Sequence, residues 1–185
     1  MSIPAVCLVA VLLLLDGCGF YSFTGAIPPH IKTITIPLFV NETAEFGIAE
    51  AVTDEVTNVF IRENILKIGR SEATDSVLRG TIKKVADTPY TYSKAEEVID
   101  YRLTITVDVE WLDVEREETL LKKKYTGWGT YSLTQDYSSD GIDNDDDGRI
   151  DGDDPDEMGD ARTLAAKVAV GKIAADIISD ITSTW

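Results

Sequence analysis

The stretch YRLTITVDVEW, residues 101–111, alternates from end to end. Tyr101, Leu103, Ile105, Val107, Val109 and Trp111 fall on one side, and Arg102, Thr104, Thr106, Asp108 and Glu110 fall on the other. A period of two is the mark of a strand with one face in a core, so the opposite face must be wet or turned toward a polar partner. The charged turn EREE, residues 115–118, then leads into TLLKKKYTGWGTY, residues 119–131, which reads as the returning strand of a hairpin. Gly127 and Gly129 near its end predict a bulge or the close approach of another segment.

Working outward, residues 66–92, LKIGRSEATDSVLRGTIKKVADTPYTY, read as one or two strands interrupted around RSEATDS. Upstream, FGIAEAVTDEVTNVFIREN spaces Ile48, Val52, Val56, Val59 and Phe60 as one helix face. Before that, HIKTITIPLFVN puts Ile34, Ile36, Leu38 and Val40 on one side of a strand and Thr33, Thr35 and Phe39 on the other. Pro37 lacks a backbone donor, which predicts an edge position or a bulge there. The last segment, DARTLAAKVAVGKIAADIISDITSTW, offers Asp160 as a cap and a stripe of Val170, Ile173, Ile177 and Ile181. The order strand, helix, several strands, long helix predicts an α+β fold, with two helices packed on one face of a small, mostly antiparallel four-stranded sheet.

The N-terminus is of another kind. IPAVCLVAVLLLL, residues 3–15, is an apolar run too short to span a bilayer comfortably but suited to a signal peptide, and it stops at DGCG. Residues 1–17 therefore read as a lipoprotein signal, with Leu15 and Gly17 preceding a lipid-modified Cys18, and residues 18–185 as a single domain. Cys7 would leave with the signal, so the mature chain has no thiol pair for a disulfide or a CxxC centre.

The net charge is −16, yet residues 140–160 hold eleven acids against one arginine, leaving −6 for everything else. No clustered basic face marks a nucleic-acid surface. Catalytic patterns are missing as well. His30 is the only histidine and stands beside prolines, no serine sits in a nucleophile elbow, and GWG lacks the spacing of a phosphate loop.

The acidic run DGIDNDDDGRIDGDDPDE, residues 140–157, is an insertion with a ligand pattern of its own. Counted from Asp143, the first, third and fifth places are Asp143, Asp145 and Asp147, and Gly148 is sixth. Arg149 offers its carbonyl at the seventh, Asp151 is ninth and Asp154 twelfth, as in a calcium loop with Asp for the final Glu. The flanks are not helical and Pro155 follows directly, so the expectation is a free-standing loop that binds Ca2+ for a structural purpose.

Cys18, Gly19, Tyr21, Phe23 and Gly25, then Pro28 to Ile34, Phe39, Asn41 and Thr43, together with LRGTIKKV, the alternating hairpin and the last helix, resemble the LptE family. That family is the lipoprotein subunit of the outer-membrane lipopolysaccharide translocon. The resemblance implies a non-enzymatic protein anchored by its lipid to the inner leaflet of the outer membrane. It also implies a large β-barrel partner, LptD-like, which the chain plugs and helps assemble while lipopolysaccharide is delivered to the surface. A polar sheet face suits a barrel lumen, and stable anchoring takes more than one acyl chain or a partner. Direct lipopolysaccharide contact would need cations, for which Lys83, Lys84, Arg102 and Lys122 to Lys124 are candidates, although such residues read first as a solvated face. The alternative is a calcium-binding envelope lipoprotein that uses the same fold for scaffold or adhesion work.

Overall fold

The computed structural model describes residues 27–69, 74–134, 137, 139–143, 148–150, 153 and 160–183. Its elements are β1 (Thr33–Thr35), β2 (Val40–Asn41), α1 (Ile48–Arg62), β3 (Lys67–Ile68), β4 (Ser76–Tyr92), β5 (Val98–Asp113), β6 (Glu118–Ser132) and α2 (Ala161–Ser183). The class is α+β, as expected, but the sheet has six strands and is mixed, in the order β3-β1-β4-β5-β6, with β2 also on β4. The four-stranded, mostly antiparallel expectation is corrected on two points. The segment around RSEATDS separates a short edge strand, β3, from the long β4, and β1, β2 and β3 pair in parallel while β4, β5 and β6 form an antiparallel meander. Parallel neighbours cannot be joined by a hairpin, so α1 is the crossover between the first strand pair and β4.

Pro37 explains why the first strand is divided in two. Thr35 pairs with Val77 and Val40 with Thr81, five steps along the first strand against four along β4. One extra residue is accommodated beside the proline, where a ladder donor is missing. A single insertion reverses the side on which every later residue points. Ile34 is accordingly buried, while Leu38 and Val40 are 59% and 57% exposed and Phe39 is buried in their stead. The simple alternation predicted for residues 33–40 fails at that point. The Phe39 N–H freed by the bulge donates to Thr53 Oγ1 at 3.0 Å, and that hydroxyl donates to Ala49 O at 2.7 Å.

Both helices cover the same side of the sheet. Val52, Val56, Val59 and Phe60 of α1 and Val170, Ile173, Ile177 and Ile181 of α2 share one core with Leu78, Ile82, Ile105, Val107, Val109 and Trp111. The predicted glycines of β6 allow close approach rather than forming a bulge. A Cβ on Gly127 would stand 2.0 Å from the Ala169 carbonyl oxygen, and one on Gly129 would stand 2.2 Å from that of Ala165. Small residues on both sides therefore bring α2 against β6. Asp160 precedes α2, and its carbonyl accepts the N–H groups of Thr163 and Leu164.

The entry to β1 is tied down by polar groups. Asp75 Oδ2 accepts the N–H groups of Lys32 and Thr33 at 2.8 and 2.9 Å, and these hold its carboxyl below the usual range. His30 Nε2 stands 2.6 Å from Asp113 Oδ2, and the Asp113 side chain is fully buried. Burial pushes that carboxyl up, but the N–H of Arg116, the His30 ring and the N–H of Glu115 together outweigh it and hold it below its ordinary value. His30 thus has a structural partner 83 residues away, which its place beside prolines did not reveal.

Candidate partner surface

The face of the sheet away from the helices is organised in cross-strand rows. From one end to the other they are Arg79–Glu110–Lys122, Thr81–Asp108–Lys124, Lys84–Thr106–Thr126, Ala86–Thr104–Trp128 and Thr88–Arg102–Thr130. Threonine and paired charge dominate because this is the second phase of the same alternation that builds the core. Lys122 Nζ reaches Glu110 at 3.0 Å and Lys124 Nζ reaches Asp108 at 3.8 Å across the strands. Leu38 and Val40 border this face at β2, whereas Tyr90 and Trp128 stand at its far end, 45% and 41% exposed.

The six candidate cations separate into distinct environments. Lys83 donates to both carboxylate oxygens of Glu42 at 2.8 Å, and Lys123 lies 2.5 Å from Asp180 Oδ2. The Lys123 ammonium, with the Tyr125 hydroxyl, holds the Asp180 carboxyl down against the effect of burial. Lys122 and Lys124 are paired as described, so four of the six serve the sheet and its helix. Lys84 is exposed, with no ion pair among the described residues. Arg102 differs from the rest, for its guanidinium carbon lies 3.9 Å from the Tyr90 ring centre and 4.6 Å from that of Trp128.

Near the starts of the helices, Arg162 forms a second ionic centre that no sequence pattern announced. It bonds Glu45 through two nitrogens at 2.7 and 2.9 Å and Asp87 at 3.0 to 3.2 Å, joining α2 to the loop before α1 and to β4. These hydrogen bonds lower the Glu45 carboxyl and raise the guanidinium. Its separation of 117 and 75 residues from those partners is why spacing along the chain carries no signal.

Cys18 and, in the acidic insertion, Asp145, Asp147, Asp151 and Asp154 lie outside the described residues. Asp143 and Arg149 lie within them. Asp143 Oδ2 accepts the Gly148 N–H at 2.8 Å, and Gly148 has φ +90°, the left-handed turn that its place in the ligand pattern requires. Among the described residues no helix is long and apolar enough to cross a membrane.

Residues 31–183 match the family described as LptE, Lipopolysaccharide-assembly. The chain belongs to the LptE family. The match begins two residues before β1 and ends with α2, so the LptE assignment rests on every strand and helix of the described domain. Among solved structures, a hypothetical protein of Chlamydia trachomatis is similar at 10% identity with TM-score 0.51, covering 82% of this chain and 98% of that one. A Xanthomonas campestris protein gives 9% identity and TM-score 0.50, covering 83% and 88%. The rare lipoprotein B of Shewanella oneidensis gives 18% identity and TM-score 0.48, covering 81% and 93%. At these identities the first two likenesses speak for the fold alone. No curated sequence matches.

Proposed function

We propose that this LptE-family chain is an outer-membrane lipoprotein, anchored through Cys18, that sits against the lumen wall of a β-barrel translocon and assists delivery of lipopolysaccharide to the cell surface. The family match over residues 31–183 carries this reading. The open sheet face supports it in detail. A surface rich in threonine, with Lys122 and Lys124 paired to Glu110 and Asp108, loses little on meeting the polar interior of a barrel, whereas an apolar face would not suit it. The role is one of binding and assembly, with no reaction assigned to any residue.

The acidic insertion fits this reading as a calcium-ordered loop between β6 and α2. Asp143, Asp145, Asp147, the Arg149 carbonyl, Asp151 and Asp154 would supply hard oxygen ligands, with affinity of roughly 0.1 to 1 mM as in extracellular modules. Calorimetric titration of calcium into the protein tests this, with saturable heat expected and its loss on replacing Asp143, Asp145 and Asp147 together by Asn.

For the main reading, the tagged lipoprotein is recovered from mild-detergent envelopes of its own host and co-eluting proteins are identified by mass spectrometry. A large outer-membrane β-barrel near equal stoichiometry is expected. Recovery without any barrel, while other envelope complexes survive, would favour calcium-dependent scaffold or adhesion work, for which the Gly148 turn on Asp143 is the motivating observation.

A further inference from the structure

The first described residue, Ile27, lines a groove at the edge of the sheet. The groove, about 430 Å³, lies between the entry to β1 and the turn that joins α1 to β3, with Pro28 and Ile65 also in its lining. Ile27 and Ile65 are only half-buried, packed against the rim of the core. Lys32 and Lys67 lie at the same groove, and both are exposed. Neither ammonium has a carboxylate partner among the described residues. The sheet is open at this place as well, for β3 is its outermost strand. Lys67 N–H donates to Lys32 O and Gly69 N–H to Ile34 O, so Ile68, between them, turns its N–H and carbonyl away from β1. Those two groups have no partner among the described residues and form a template for another strand.

The nine residues before Ile27, Cys18 to Ala26, read CGFYSFTGA and contain an occupant that can reach the groove. Four residues of extended chain cover at most about 14 Å, so Phe23 cannot lie far from a groove that Ile27 itself lines. Phe20, Tyr21, Phe23 and Thr24 are strand formers, and Tyr21 and Phe23 share one side of an extended run. We propose that residues 20–24 add to the open edge of β3 and that Phe23 fills the groove. An aromatic ring suits this site better than an aliphatic side chain, because its negative face attracts the two ammonium groups beside it. The ring also takes the half-buried isoleucines out of water, which offsets the cost of ordering the segment. A segment already tethered to the site loses less freedom on docking than a separate molecule does, which favours the chain's own residues over a partner's. The consequence concerns orientation. With residues 20–24 held along β3, Cys18 emerges at the β3 rim of the sheet, and β6 forms the rim opposite. An acyl anchor on Cys18 then presents the domain to the bilayer by that rim instead of letting it swing on a free tether. This consequence rests on the reading of Cys18 as lipidated, whereas the docking does not.

The test uses the protein purified from host envelopes in detergent, with 13C-labelled isoleucine methyl groups. Nuclear Overhauser contacts from the Phe23 ring to the Ile27 and Ile65 methyls are expected, with an upfield ring-current displacement of the Ile65 signal. Phe23→Ala should abolish that displacement and speed hydrogen exchange of the Ile68 N–H about tenfold or more. Phe20→Ala, on the other side of the run, should leave the Ile65 signal in place. An Ile65 methyl indifferent to Phe23→Ala in the folded protein, or contacts to detergent chains in place of the ring, would overturn the inference. The mass of the N-terminal peptide reports acylation of Cys18 separately. A docked segment with an unmodified Cys18 would uphold the docking and remove the anchor, and an acylated Cys18 on an undocked segment would do the reverse.

Discussion

The two faces of β5 come from one stretch of chain and obey different rules. Leu103, Ile105, Val107, Val109 and Trp111 are all at most 3% exposed beneath the helices. Their neighbours lie on the opposite face, where Asp108 and Glu110 pair with lysines across the strands, Thr106 meets Thr126 and Arg102 stacks on Tyr90 and Trp128. The first set makes the fold and tolerates little change. The second set is tuned to whatever lies opposite, so its residues should be separable from stability.

The largest contrast is between adjacent residues. Ile105→Ala should cost roughly 2–5 kcal/mol in chemical denaturation, because the cavity lies where α2 and the sheet meet and cannot fully close. Thr106→Ala, one position along, should stay within about 0.5 kcal/mol. Equal losses at both sites would mean the open face is itself packed, and the distinction would collapse.

A smaller effect is expected at the β6 contact. Gly129→Ala should destabilise by roughly 1–3 kcal/mol, since the added methyl meets the Ala165 backbone rather than a side chain that can turn away. Thr130→Ala on the opposite face should be near neutral by the same measurement.

Acidification sharpens the comparison between deep and exposed carboxylates. Asp113, Asp75, Asp180 and Glu45 all have carboxyls held below their ordinary values of 3.8 or 4.5 in the folded chain. A depressed carboxyl contributes stability that is complete above the unfolded value and is lost as pH falls through the folded one. Unfolding free energy should therefore hold steady down to the ordinary carboxylate range and decline below it. Asp113→Asn should be less stable at neutral pH and lose less on acidification, as followed by denaturation at a series of pH values.

The smallest effect is expected for the surface pairs. Lys122→Ala breaks the 3.0 Å contact with Glu110, but the lysine side chain is 76% exposed. The loss should be below about 0.5 kcal/mol and should shrink further at high salt.

What was legible in the sequence follows the same division. Helix spacing at Ile48 to Phe60 and Val170 to Ile181, and alternation in Leu103 to Trp111, located the core correctly because burial imposes a period on the side chains. The register of residues 33–40 was not legible, since Pro37 signalled an irregularity without saying that an extra residue would turn Phe39 inward and Leu38 outward. Parallel pairing of β1 with β3 and β4 was hidden for another reason, as two- and three-residue strands have too little length to show their neighbours. At the candidate surface the lysines could be named from sequence, but the partners that neutralise them, and the rings that hold Arg102, are set by cross-strand register.

The central claim, that the open face meets a barrel wall, is tested most directly by site-specific photocrosslinking in the living host. A photoreactive residue is placed at Thr106 or Thr126 on that face, and at Asn58 or Ala175 on the exposed sides of α1 and α2. A discrete adduct with a large outer-membrane β-barrel is expected from the two sheet positions at higher yield than from the helices. Adducts arising from the helix positions alone, with none from Thr106 or Thr126, would contradict it.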